Sequence, residues 1–222
     1  MELVQLLKRE LKIIYHRFAD VFNIFIFFII ICFAFSFAAS GNISLPVASS
    51  VIIICFMLSS NLSAHLIFEK DIETGMLQQL FLRIKSLNNL IFAKMIAHFI
   101  CFGIPLTIAV PVASLFFNVA PENIISLVGM ILITSLIISV INVMMAGITA
   151  GIKAGGMISI ILSLPLYIPI MILNIAYMVS IAGGEQGIDF PSFVQNISAF
   201  LLIIIPLALF SVRQTIRNAV ES

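Results

Sequence analysis

VFNIFIFFIIICFAFSFAA, residues 21–39, is a run of nineteen residues without a charge. It is apolar all round, so a helix built from it has no face to turn to water. A helix of about 20 residues rises about 30 Å, the thickness of a bilayer's hydrocarbon core. Similar runs cover about 45–64, 95–117, 124–151, 157–181 and 197–212. The pattern predicts an all-α polytopic membrane protein with six transmembrane helices, forming a single transmembrane domain over 1–222. Composition agrees. Of the 222 residues, 62% are hydrophobic and 9% are charged, against about 25% charged in soluble domains. That excludes a soluble globular chain and a disordered one. A net charge of +1 excludes an electrostatic nucleic-acid binder. Trp is absent, so the 20 Phe residues must supply aromatic bulk at the bilayer surfaces.

The charged residues give the orientation. All eleven Lys and Arg lie in four places: residues 1–20 (Lys8, Arg9, Lys12, Arg17), the segment between spans 2 and 3 (Lys70, Arg83, Lys85, Lys94), the turn after span 4 (Lys153) and the tail (Arg213, Arg217). The alternate loops hold only acids: Glu122, Glu185 and Asp189. Lys and Arg stay on the cytoplasmic side, so both termini are expected there. Leu3, Leu6, Leu7, Leu11, Ile14 and Phe18 recur at three- and four-residue steps. Residues 1–20 therefore read as an amphipathic helix in the membrane interface. A cleaved signal peptide is the alternative, but both its charged and its apolar parts are too long.

No Asp, Glu, Lys or Arg is expected within a span. Ion-coupled carriers place such groups at mid-membrane; here Asn142, Asn174, Ser and Thr would have to serve, so a carrier is a weak alternative. There is no phosphate-binding GxxxxGK[ST] loop, so the chain cannot hydrolyse ATP by itself. No paired carboxylates or Ser/His/Asp set shares a depth, and no enzyme is expected. Cys32, Cys55 and Cys101 lie in apolar runs without metal spacing. His16, His65 and His98 sit near the cytoplasmic face, and no two share a helix at ligand spacing, so no metal site is expected.

Residues 65–85 are too charged to span and too apolar for a loop. Leu77, Leu80 and Phe81 share one helix face, with Glu69, Asp71 and Glu73 upstream, where acids favour a helix start. This reads as a cytoplasmic coupling helix that docks into another protein, apolar knob first; an interfacial helix that only anchors the turn is the alternative. Gly147, Gly151 and Gly155 recur every four residues and suit close helix packing. Pro165 and Pro169 remove two backbone donors, so span 5 is expected to be bent or partly re-entrant.

These features carry a resemblance. The chain resembles the membrane permeases of ABC-2-type exporters and, more closely, the CcmB family of haem-exporter permeases in cytochrome c maturation. The matching residues run in order. They are Leu58-Ser59-Ser60, Asp71 to Gly75, Leu77 to Leu80, Ala93-Lys94, Ala97-His98, Pro105-Leu106, Pro111, Gly151-x-Lys153-x-Gly155-Gly156 and Leu164-Pro165-x3-Pro169. The chain departs from the family pattern at Gln78, Phe99 and Ala154, and near His65. The resemblance implies a bacterial inner-membrane subunit without its own ATPase, homodimeric in its complex. A cytosolic ATPase subunit (the A component) would dock on Glu69, Asp71, Glu73, Gly75, Leu77, Leu80 and Phe81, with Lys153 as a lesser contact. Pro105, Pro165 and Pro169 would shape the moving helices. Companion membrane subunits C and D would pass haem to a periplasmic chaperone. The chain alone would hold no cofactor; haem would be cargo or a ligand of the complex, with His65 and His98 as candidate contacts. An exporter of another amphipathic substrate (lipid, glycan or drug) and a scaffold that only releases the chaperone are the alternatives.

Overall fold

Nine α-helices are present among the described residues of the computed structural model. These are residues 2–39, 43–64, 66–73, 75, 86–150, 152 and 155–221, with the side chains of 69, 70, 72, 73, 156 and 216–221 left out. They are α1 (Glu2–Tyr15), α2 (Phe18–Ala38), α3 (Leu45–Asn61), α4 (Leu66–Glu73), α5 (Leu87–His98), α6 (Ile104–Phe116), α7 (Pro121–Ile148), α8 (Gly155–Ile181) and α9 (Phe190–Glu221). A π-helical turn, Phe99–Gly103, joins α5 to α6. Six stretches are long and apolar enough to cross a membrane: Phe18–Ala38, Leu45–Phe68, Leu87–Phe116, Pro121–Ile148, Met157–Ile181 and Phe190–Thr215.

α7 is the central helix. It packs against α3, α5, α6, α8 and α9, and Ile137, Ile138, Ile141 and Val143 on it are wholly buried. α2 lies outside, on α3 and α6. Phe28 meets Phe56 of α3 edge-on at 6.2 Å, and Phe33 meets Phe116 at 5.6 Å. Phe18, Phe37, Ile108, Leu115, Ile168, Leu202 and Phe210 project outward. Such an apolar exterior has lipid, not water, as its solvent.

α7 and α9 touch where small residues were expected. A Cβ added at Gly147 would lie 2.6 Å from Val212 Cγ1, closer than packed carbons approach. Gly147→Ala is therefore expected to push α9 away and to cost about 1–3 kcal/mol, as overpacking does. Thermal unfolding of the purified chain would show it, and an unchanged midpoint would refute the tight contact.

Three sequence expectations change. Helix α5 starts at Leu87 rather than near 95, so Lys94 stands eight residues into a span. Asp20, Glu122 and Arg213 also fall within span helices, in their end turns. The expected absence of charge from the spans is thus corrected, and at Lys94 the cause is a set of buried counter-charges. α1 ends at Tyr15; Arg17 takes a non-helical conformation and its side chain bonds Asp20 in the first turn of α2 at 2.9 Å. Lastly, α8 runs without a break through Pro165 and Pro169, so it is not re-entrant. Both prolines sit on its exposed side, with Ile161, Leu164 and Ile168. The lost hydrogen bonds thus lie along one side and leave the helix to bend, not end.

The π turn falls beside the third marked proline. Pro105 has no N–H for the carbonyl four residues back, and here Ile104 N–H bonds Phe99 O, five residues back. Widened turns of this kind absorb a local mismatch without ending the helix. Gly103 in that turn lies against Ser135 of α7, where a Cβ would stand 3.3 Å from its Oγ.

Candidate functional site

α1 runs beside α5 in the same direction. Asn89 donates to Glu2 at 3.2 Å, and Leu6 is buried with Leu90 and Ala93. The apolar face of α1 is thus used on a neighbouring helix. One turn beyond Leu6 on that face comes Glu10, 4% exposed. An isolated buried carboxylate is expensive, and Glu10 has partners. Arg9 Nη1 donates to its Oε1, and Lys94 Nζ donates to its Oε2 at 2.9 Å. Asp71 of α4 closes the set: Arg9 Nη2 donates to Oδ1, and Lys94 Nζ to Oδ2 at 2.6 Å.

Two cations and two anions therefore alternate around a ring. Each carboxylate oxygen takes one cation. Lys94 gives its third proton to Ile67 O at 2.8 Å, so all three ammonium donors are used. The Phe68 ring covers the same nitrogen at 4.7 Å, a favourable cation–π placement. The ring balances its charges, with Glu10, Asp71 and Lys94 buried and Arg9 partly exposed. Its bonds tie α4 to α1 and α5. Burial acts against the charged form of Asp71, but Lys94 and Arg9 outweigh it and hold the carboxyl below the ordinary carboxylate range.

The sign of the pH effect follows. A depressed folded pKa contributes stability that is present above the unfolded value, about 3.9. It is lost as pH falls through the lower folded value. The melting temperature of the purified chain should therefore drop steeply below about pH 4. Asp71→Asn should start lower and show a shallower acid limb; identical limbs would contradict the ring.

A second polar group lies deeper. His98 Nε2 is 2.6 Å from Ser63 Oγ and Nδ1 is 3.0 Å from Ser139 Oγ. The Ser63 hydroxyl proton goes to Ser60 O. Ser63 Oγ must therefore accept, which assigns the proton to Nε2 and makes Nδ1 the acceptor from Ser139. Asn142 donates to Ser60 O at 3.1 Å and to Ser60 Oγ at 3.0 Å, and Tyr167 OH donates to Asn142 Oδ1. This network pins α3, α5, α7 and α8 together. A cavity of about 20 Å³, bordered by Glu10, Lys94 and His98, separates it from the ring. An apolar groove of about 420 Å³ lies between α3 and α8, lined by Met57, Leu58, Tyr167, Ile168 and Met171 among others.

Beside the fold and the ion ring stands a family match. The family described as CcmB protein matches residues 1–219. The chain belongs to the CcmB family. Three CcmB relatives illustrate the match, all called heme exporter protein B. That of Haemophilus influenzae is 30% identical over 117 residues, 52% of this chain and 53% of that protein. That of Escherichia coli K12 is 29% identical over 106 residues, 47% and 48% of the two chains. That of Pseudomonas aeruginosa is 29% identical over 112 residues, 50% of each. The chain spans about half the length of the curated relatives it matches.

The residues singled out from the sequence are placed as follows within this CcmB fold. Asp71 is buried in the ring, with both oxygens engaged inside the chain. Gly75 follows α4 with φ +65, a left-handed conformation that suits glycine. His98 has both ring nitrogens hydrogen-bonded in the core and offers neither to a ligand. His65, Leu77, Leu80, Phe81 and Lys153, and the side chains of Glu69 and Glu73, lie outside the described residues. No group of three metal-ligating side chains occurs among the described residues. Sequence reasoning missed Arg9, Glu10 and Lys94 as a unit. The available signal was Glu10 itself, which interrupts the apolar series Leu6, Glu10, Ile14 at four-residue steps.

Proposed function

We propose that the chain is the membrane permease subunit of an ATP-driven ABC exporter complex in cytochrome c maturation. It would support haem export, or release of the haem-loaded chaperone, to the periplasm. The CcmB match over residues 1–219, from α1 into α9, carries this reading. The relatives' name, heme exporter protein B, supplies the substrate. On this reading the protein sits in the bacterial inner membrane as one domain with both termini cytoplasmic. ATP is hydrolysed by a separate cytosolic subunit, and membrane subunits C and D complete the assembly around a homodimer.

The ring gives the proposal a mechanical form. In sequence α4 is followed by residues 74–85, where Leu77, Leu80 and Phe81 would seat the ATPase. Motion of that seat would reach Asp71, and through its bonds Lys94 on α5 and Arg9 on α1. The spans would then move as rigid bodies. Asp71 thus takes the role of transmitter; Glu69 and Glu73 keep the role of orienting charge at the docking face. The deeper network holds α3, α5, α7 and α8 as one body.

The two forms of the function separate in inside-out vesicles carrying the whole complex. Haem accumulating inside only with ATP identifies export. Background haem uptake, with ATP still needed to free the haem-loaded chaperone, identifies release. ATP dependence of neither would overturn the proposal.

A further inference from the structure

α1 sorts its charges by face. Arg9 and Glu10 turn inward to the ring. Lys8 and Lys12, one turn apart, are exposed on the outer side, and Tyr15 and His16 continue the same stripe. The acids near them are engaged elsewhere: Glu10 and Asp71 in the ring, Asp20 with Arg17, Glu2 with Asn89. Neither lysine forms an ion pair with a described residue. At the end of the stripe Tyr15 is 77% exposed; beyond it Phe18 is 65% exposed and stacks on Phe22 at 6.3 Å at the head of α2.

We propose that Lys8 and Lys12 bind anionic phospholipid headgroups of the leaflet at the basic end of the bundle. The aromatic rings fix the depth. Exposed rings at the start of a span sit at the hydrocarbon boundary. Lys12 precedes the exposed Tyr15 by three residues of α1, about 4.5 Å of helix rise. That is within the Debye length of about 8 Å at physiological salt, so its charge feels the headgroup phosphates. The stem of Lys8 reaches toward the same layer from one turn further out. A cationic stripe above exposed rings is the chemistry of an anionic bilayer surface.

Native mass spectrometry of the full chain in detergent, titrated with phosphatidylglycerol and with phosphatidylcholine, tests the assignment. The wild type should retain phosphatidylglycerol the more tightly. Lys8→Gln with Lys12→Gln should weaken phosphatidylglycerol binding about thirty-fold and leave phosphatidylcholine unchanged. Lys8→Arg with Lys12→Arg should keep it, which separates charge from local packing. Equal retention of both lipids by the wild type, or undiminished phosphatidylglycerol binding by the Gln pair, would overturn it. So would a Gln pair that keeps the lipid and instead releases an acidic protein.

Discussion

Replacing Lys94 by Met is expected to lower stability by about 3–5 kcal/mol, the cost of leaving a buried charge without its partner. The variant leaves Glu10 and Asp71 with Arg9 alone, so one negative charge stays uncompensated where Lys94 was 2% exposed. It also leaves Oε2 of Glu10 and Oδ2 of Asp71 without their ammonium donor. Total stabilities are about 5–15 kcal/mol, so the loss should show as reduced membrane abundance and a lower unfolding midpoint. A double variant, Lys94→Met with Asp71→Leu, restores neutrality, because Arg9 and Glu10 still pair. Buried ion pairs replaced by apolar residues of similar volume often fold as well or better, so the double variant should recover most of the stability. It should not recover function, because the hydrogen bonds from α4 to α1 and α5 are gone. A Lys94→Met protein as stable as wild type would remove the ring from the account of the fold. A double variant with full haem delivery would remove it from transmission.

The second large effect is expected at Leu80. Leu77, Leu80 and Phe81 recur at three- and four-residue steps and form the apolar knob of the proposed docking segment. An interface of this kind rests on a few buried anchors, each worth at least about 2 kcal/mol on truncation. Leu80→Asp replaces an anchor with a charge that must be desolvated. At least about a thirty-fold loss of ATPase affinity is expected, enough to empty a detergent pull-down. The variant should still insert and keep its ring, since Asp71 and Lys94 are untouched. Undiminished ATPase recovery per mole of Leu80→Asp chain would overturn the docking assignment.

Much of this architecture is legible in the residues. The spans follow from uncharged runs, because hydrocarbon demands apolar side chains and closed backbone hydrogen bonds. The segregation of Lys and Arg follows from the same medium. The register of the Gly147 contact was foreshadowed by small residues four apart, although its partner Val212 was not. The ring was hidden for a different reason. Arg9 and Asp71 are 62 residues apart, and Glu10 and Lys94 are 84 apart, so no local period links them. Lys94 looked like a loop charge because a cation at a span's edge carries no local sign of being buried. The π turn beside Pro105 and the unbroken course of α8 depend on which side of a helix a proline occupies, and neighbouring helices decide that. For His98, the residue type suggested a ligand. The structure instead shows a hydrogen-bonded core histidine, because Ser63 from the turn after α3 and Ser139 from α7 converge on its nitrogens.

The central claim is that this chain is a permease driven by a separate ATPase. A gentle detergent pull-down of the wild-type chain, with mass spectrometry of whatever accompanies it, tests that most directly. An ABC-type ATPase recovered together with membrane subunits C and D is the expected result. A preparation that keeps other ABC complexes intact and yields no ATPase with this chain would contradict it.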